Sequence, residues 1–207
     1  MTILKTDLSV LRTAAQGVYS YACNDYHNWE HACRVAETTK LLMLTELAEH
    51  NDAVYIAAIW HDAIYFAGAN EGVNENASAA ALKSAWHGYQ ISADYSILTE
   101  AMYLIEHTSI SNHLVPEAYK ANKLLPILLD ADLSALADSY ELFVQNQTAI
   151  IIENFGDAGT KEAHQKCGAF LSKFLTVRPF IYHTTTARNL YETKAKANIT
   201  KYLQDYA

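Results

Sequence analysis

Apolar residues recur along this chain at three- and four-residue spacings, and no stretch sustains the alternation of a half-buried strand. Runs rich in Ala, Leu, Ile, Glu and Lys predict helices near 7–22, 28–49, 53–67, 75–89, 93–108, 124–137, 139–154, 160–175 and 185–205. Asn28 and Asp52 stand where N-caps of the second and third helices belong. The Gly- and Asn-rich stretch 68–76 predicts a loop, as do 111–122 and 154–160. ILLDADLSAL opens like a buried strand, but Ile127, Leu128, Asp132 and Ala135 also share one helical face, and its flanks are helical. Glu192 and Lys196, at i,i+4, predict an exposed ion pair on the last helix. The chain shows no repeat, low-complexity tract or linker, so an all-α bundle of about nine helices in one domain is expected.

Patterning also singles out one helix. In IAAIWHDAIYFAG the residues around His61 and Asp62 are apolar on nearly every face, which predicts a central, buried position. A buried carboxylate needs a cation, several donors or a metal, so Asp62 requires company. His31 opens the preceding helix, and Asp132 lies in the apolar stretch LLPILLDADLSALA. Two imidazoles and two carboxylates form a ligand set for a divalent ion, with Mn, Fe, Ni, Co, Zn and Mg all compatible. An octahedral ion held by four side chains keeps two positions for water or a phosphate oxygen.

Composition narrows the partners. Lys and Arg number 15 against 23 Asp and Glu, a formal charge of −8, which argues against broad contact with a nucleic-acid backbone. A small phosphorylated substrate remains compatible, because a metal supplies positive charge locally. Cys23, Cys33 and Cys167 are odd in number and form no CxxC, so reduced thiols are expected. The N-terminal stretch lacks the apolar run of a signal peptide and no stretch is apolar enough to span a membrane, so a cytoplasmic protein is expected. Dinucleotide, P-loop, serine-hydrolase and zincin motifs are absent.

The order His31, His61-Asp62, Asp132 resembles the H…HD…D pattern of HD-domain phosphohydrolases, and more closely the bacterial group of predicted metal-dependent HD phosphohydrolases. YHNWEHACRV (26–35), IWHDAIY (59–65), NENASA (74–79), LLDADLSAL (128–136), FLTVRPFIYHT (174–184) and ETKAKANITKYL (192–203) carry the resemblance, over most of the chain. It implies an HD-like core near 24–140, a helical extension over 141–207, and a divalent metal on His31, His61, Asp62 and Asp132. It also implies hydrolysis of a phosphoester or phosphoanhydride of a small molecule, with nucleotides among the candidates. A non-catalytic HD module that binds metal or nucleotide and regulates a partner is the alternative.

Asp130 and Asp132 point about 200° apart on a helix, so only one faces the metal. The family's Ala-Asp pairing selects Asp132 and leaves Asp130 as an acceptor for a ligand histidine. His31 matches the family's ligand position, and His27, four residues earlier, is placed to meet substrate phosphate. The family's Ile-x-x-Thr-x-x-His stretch reads Ile105, Thr108, Ser111 here, so His107 or His113 is left to supply the histidine. Some members hold a second metal with histidines from this interval, where His87, His107 and His113 lie; partly exposed polar histidines are the plainer alternative. Glu75 is a candidate acid or base beside the metal, together with Ser78; the alternative has Asn74 capping a helix and Glu75 favouring its dipole. Arg34 and Lys83 are candidate phosphate ligands, with a solvated surface role the plainer reading of Lys83. Arg178 and Arg188 match the family tail, where they orient substrate or tie the last helix to the core. Tyr55 and Tyr103 read as core rings, and Tyr26, Trp29 and Tyr65 as candidates for stacking on a base.

Overall fold

A computed structural model of the protein describes residues 3–47, 51–114, 122–156 and 160–206, and among these there are helices and no strand. The order is α1 (Lys5–Ala22), α2 (Trp29–Glu46), α3 (Asp52–Trp60), α4 (Val73–Gly88), α5 (Tyr95–Glu106) and α6 (Ile110–Leu114). Then come α7 (Leu125–Asp132), running on as a 3-10 turn (Leu133–Ala137), α8 (Tyr140–Phe155) and α9 (Lys161–Thr176). The chain closes with α10 (Thr185–Ala187), a π-helical turn (Arg188–Glu192) and α11 (Thr193–Tyr206). Among the described residues, no helix is long and apolar enough to cross a membrane.

The helix singled out by its apolar residues is the centre of the bundle. All nine residues of α3 are buried, and it packs on α2 and α5, with α1, α4 and α7 also against it. Val54, Ile56 and Ile59 each contribute on the order of 2 kcal/mol by leaving water. Asn28 caps α2 as expected, its side-chain oxygen accepting from Glu30 N and His31 N. The cap of α3 is Asn51, not Asp52: Asn51 Oδ1 accepts from Ala53 N and Val54 N. Asp52 Oδ2 instead accepts from Ile3 N at 2.8 Å and fastens the N-terminal segment to α3.

The largest departure from the expected boundaries is the end of α3. The sequence predicts helix to 67, but α3 stops at Trp60 and the His61-Asp62 pair lies in the turn that follows. Side chains from the start of α4 take over the backbone groups that a longer helix would have paired. Ser78 Oγ accepts from Ile64 N at 3.0 Å and donates to Ile64 O at 3.2 Å. Asn74 likewise accepts from Phe66 N and donates to Phe66 O, so it does not cap α4. Gly72, at φ +84°, occupies that cap position and lets α4 begin inside the expected loop.

Part of the expected loop 111–122 is helical, since α6 runs to Leu114; residues 115–121, and 157–159 of the loop expected at 154–160, lie outside the described residues. The C-terminal helices pack on the end of α7: α11 lies against α9 and the 3-10 turn, and Asn198 Nδ2 donates to Leu136 O and Asp138 O. The Glu192–Lys196 pair forms at 2.9 Å, but Glu192 is buried, not exposed. Its carboxylate also accepts from Ile181 N and Tyr182 N, anchoring the segment before α10.

Candidate metal centre and its cavity

Three elements deliver four side chains to one point. His31 sits in the first turn of α2, where the Asn28 cap holds its backbone. His61 and Asp62 follow α3, and Asp132 ends α7. His31 Nε2 lies 3.3 Å from His61 Nε2, 3.4 Å from Asp62 Oδ2 and 3.1 Å from Asp132 Oδ1. His61 Nε2 lies 3.0 Å from Asp62 Oδ2 and 3.4 Å from Asp132 Oδ1. All four donor atoms fall within 4.8 Å of one another.

These separations fit a shared divalent ion. Ligand bonds of about 2.1 Å give neighbouring donors about 3.0 Å apart in an octahedron and about 3.4 Å in a tetrahedron. The chemistry of the donors agrees. His61 Nδ1 donates to Ala58 O at 2.9 Å, so a neutral His61 turns the lone pair of Nε2 toward two carboxylates. A cation between them relieves that opposition. Without an ion, a proton does so: burial pushes the His61 imidazole down, but Asp62 and Asp132 outweigh it and hold it well above its ordinary value. Burial pushes Asp62 up, and His61 and His27 outweigh that and hold it well below the usual carboxylate range. Asp132 is lowered in the same way, against burial, by His61, His113 and His31.

His113, expected in a loop, is brought in by α6. It is buried, with Nε2 3.3 Å from Asp132 Oδ2, the oxygen not directed at His31 and His61. Arg178 Nη1 donates to His113 O at 2.8 Å, so the C-terminal segment braces this histidine. The other two histidines of that interval stay away. His87 is exposed, and His107 turns back on its own helix, with Nδ1 2.7 Å from Tyr103 O, and does not line the cavity. Arg34 is likewise absent from the cavity wall, being paired with Asp138 at 3.1 Å.

Asp130 does not support a ligand histidine. Its two oxygens accept from His183 N and Thr184 N, each at 2.7 Å, joining α7 to the segment before α10. Burial pushes its carboxyl up to about 6, against the lowering effect of those hydrogen bonds. Arg188 holds Tyr182 O from its Nε and covers Phe180, so both tail arginines tie the C-terminal segment together.

A cavity of 410 Å³ opens on the centre. Asp62 and Asp132 line it, whereas His31 and His61 stand behind them. His27 faces the same space, stacked on Tyr65 with ring centroids 3.7 Å apart. Its Nδ1 meets Glu153 Oε2 at 2.6 Å, and Glu153 Oε1 accepts from Tyr26 N and His27 N. Burial lowers the His27 imidazole, but Asp62 and Glu153 outweigh it and raise it. Glu153 on α8 was not among the residues singled out in the sequence; no local pattern separates it from a solvated helix glutamate. Glu75 lines the cavity half-buried, and burial, with Asp62 adding, pushes its carboxyl up. Tyr26 and Tyr65 reach the cavity; Trp29 packs instead on Tyr19 and Arg12.

Set against models of known families and against curated proteins, the chain matches none.

Proposed function

We propose that the protein is a metal-dependent phosphohydrolase of the HD type, acting on a small phosphorylated molecule in the cytoplasm. The observation that carries this is the convergence of His31, His61, Asp62 and Asp132 beside a cavity, with the two carboxylates on its wall. A divalent ion held there supplies Lewis acidity toward a phosphoryl oxygen and a lowered pKa for water. The protein's own residues do the rest. His31 and His61, buried behind the carboxylates, fix the depth of the site. Asp62, facing the cavity, would hold the ion and orient water beside it. His27, with Nδ1 occupied by Glu153, presents Nε2 to a phosphate oxygen. Glu75, whose carboxyl is raised, is the nearby proton donor for the leaving group.

The test is a phosphatase panel on protein stripped of metal and reloaded in turn with Mn, Fe, Ni, Co, Zn and Mg. Turnover that needs one of these ions and disappears in His61→Ala supports the assignment. Ion binding without turnover of any phosphate ester supports a non-catalytic, metal-binding module instead.

A further inference from the structure

The cavity is chemically lopsided. Its inner end carries Asp62, Asp132, His27 and His113, but its body runs between α8 and α9. Gln147, Ile150, Ile151, Asn154 and Phe155 recur on α8 at the spacing of a single helical face. Phe170, Leu171 and Phe174 on α9 face them across the space. Two packed helices ordinarily interdigitate such stripes. Here the stripes wall an opening continuous with the metal centre, within the ~300–1,000 Å³ range of small-molecule sites.

The same wall is poor in positive charge. Among the described residues that line it, Lys166 is the one lysine or arginine. It stands exposed at the outer end, paired with Glu162 at 2.9 Å and 5.3 Å from the centre of the Phe155 ring. One bound ion and His27 are the positive groups that meet a phosphate there, and Asp62, Asp132 and Glu153 already offset much of their charge; a triphosphate meets no further cation among the described residues of that inner end.

We infer that the substrate is a phosphomonoester of an uncharged, apolar alcohol, with its phosphate beside Asp62, Asp132 and His27 and its organic body between α8 and α9. The inference rests on the phosphohydrolase assignment and gives that site its substrate class. In the reaction, the oxygen of water bonds to phosphorus and the ester P–O bond breaks. The alcohol oxygen keeps that electron pair and takes a proton, leaving the alcohol and inorganic phosphate.

Two series on the metal-loaded full-length protein test this: n-alkyl phosphates from methyl to hexyl for turnover, and n-alkylphosphonates of the same lengths for binding by calorimetry. Each methylene that enters the apolar wall should tighten phosphonate binding by up to about fourfold, and kcat/KM should climb in step. Pyrophosphate and a nucleoside triphosphate should bind more weakly than hexylphosphonate. Phe170→Ser, at an exposed wall position, should flatten the chain-length dependence, weakening hexylphosphonate far more than methylphosphonate; Phe155→Ser serves if that variant does not fold. Affinity independent of chain length, tighter binding of pyrophosphate or triphosphate, or no phosphonate binding at all would overturn the inference. A graded phosphonate series without ester turnover would uphold the ligand class and remove the hydrolase assignment.

Discussion

Replacing Ser78 by Ala should loosen the turn that carries His61 and Asp62. The hydroxyl is fully buried and serves both backbone groups of Ile64, accepting from its N–H at 3.0 Å and donating to its carbonyl at 3.2 Å. Ala removes both partners and offers nothing in return. Each lost hydrogen bond costs about 1 kcal/mol net, and more where the stranded group is shielded from water. The sum is about 2–3 kcal/mol, or roughly 4–12 °C in Tm for a domain of this size. A side chain that orients a metal ligand changes ion affinity by about 10–100-fold when removed. Calorimetric melting and ion titration of the same preparation read both effects. Ser84→Ala is the control: its exposed hydroxyl bonds only Ala80 O on the same helix, so it should shift stability by less than about 0.5 kcal/mol. A Ser78→Ala protein that melts like wild type and binds the ion equally well would show that the turn is held by something else.

Further outcomes follow from the same geometry. Ion affinity should rise with pH up through the elevated His61 value, because the proton and the ion compete for Nε2; calorimetry across buffers should show proton release on binding. In the ion-free protein the His61 contribution to stability is present below 6.5 and lost as pH rises through its raised value, so Tm should fall on the alkaline side. The Asp62 and Asp132 contributions are present above 3.8 and lost as pH falls through their depressed values, so Tm should also fall in acid. Glu153→Gln should leave ion content unchanged but lower kcat by about 10²-fold, with the pH profile displaced as His27 loses its carboxylate partner. Glu192→Ala strands the N–H groups of Ile181 and Tyr182 and should cost about 2–4 kcal/mol in urea unfolding.

The helices were legible because most are closed by local chemistry: Asn28 caps α2, and Gly156, in the left-handed region, closes α8. The end of α3 was not, because the groups that terminate it arrive from Asn74 and Ser78, across a loop. Asp132 and Asp130 point in opposite directions on their helix, and Asp132 meets the histidines while Asp130 meets backbone N–H groups. What Asp130 binds was invisible, since its partners lie 53 and 54 residues away. Glu153 is 126 residues from His27, and nothing in its neighbourhood on α8 marks it. Helices near 139–154 and 160–175 were legible, but periodicity does not distinguish a helical face that closes a core from one that walls a cavity.

The central claim is that four side chains from α2, the turn after α3, and α7 hold one ion. Anomalous diffraction from crystals grown with manganese or zinc tests it most directly. The expected result is a peak about 2.0–2.3 Å from His31 Nε2, His61 Nε2, Asp62 Oδ2 and Asp132 Oδ1. A map with no peak there, and the four side chains bonded only to one another, would contradict it.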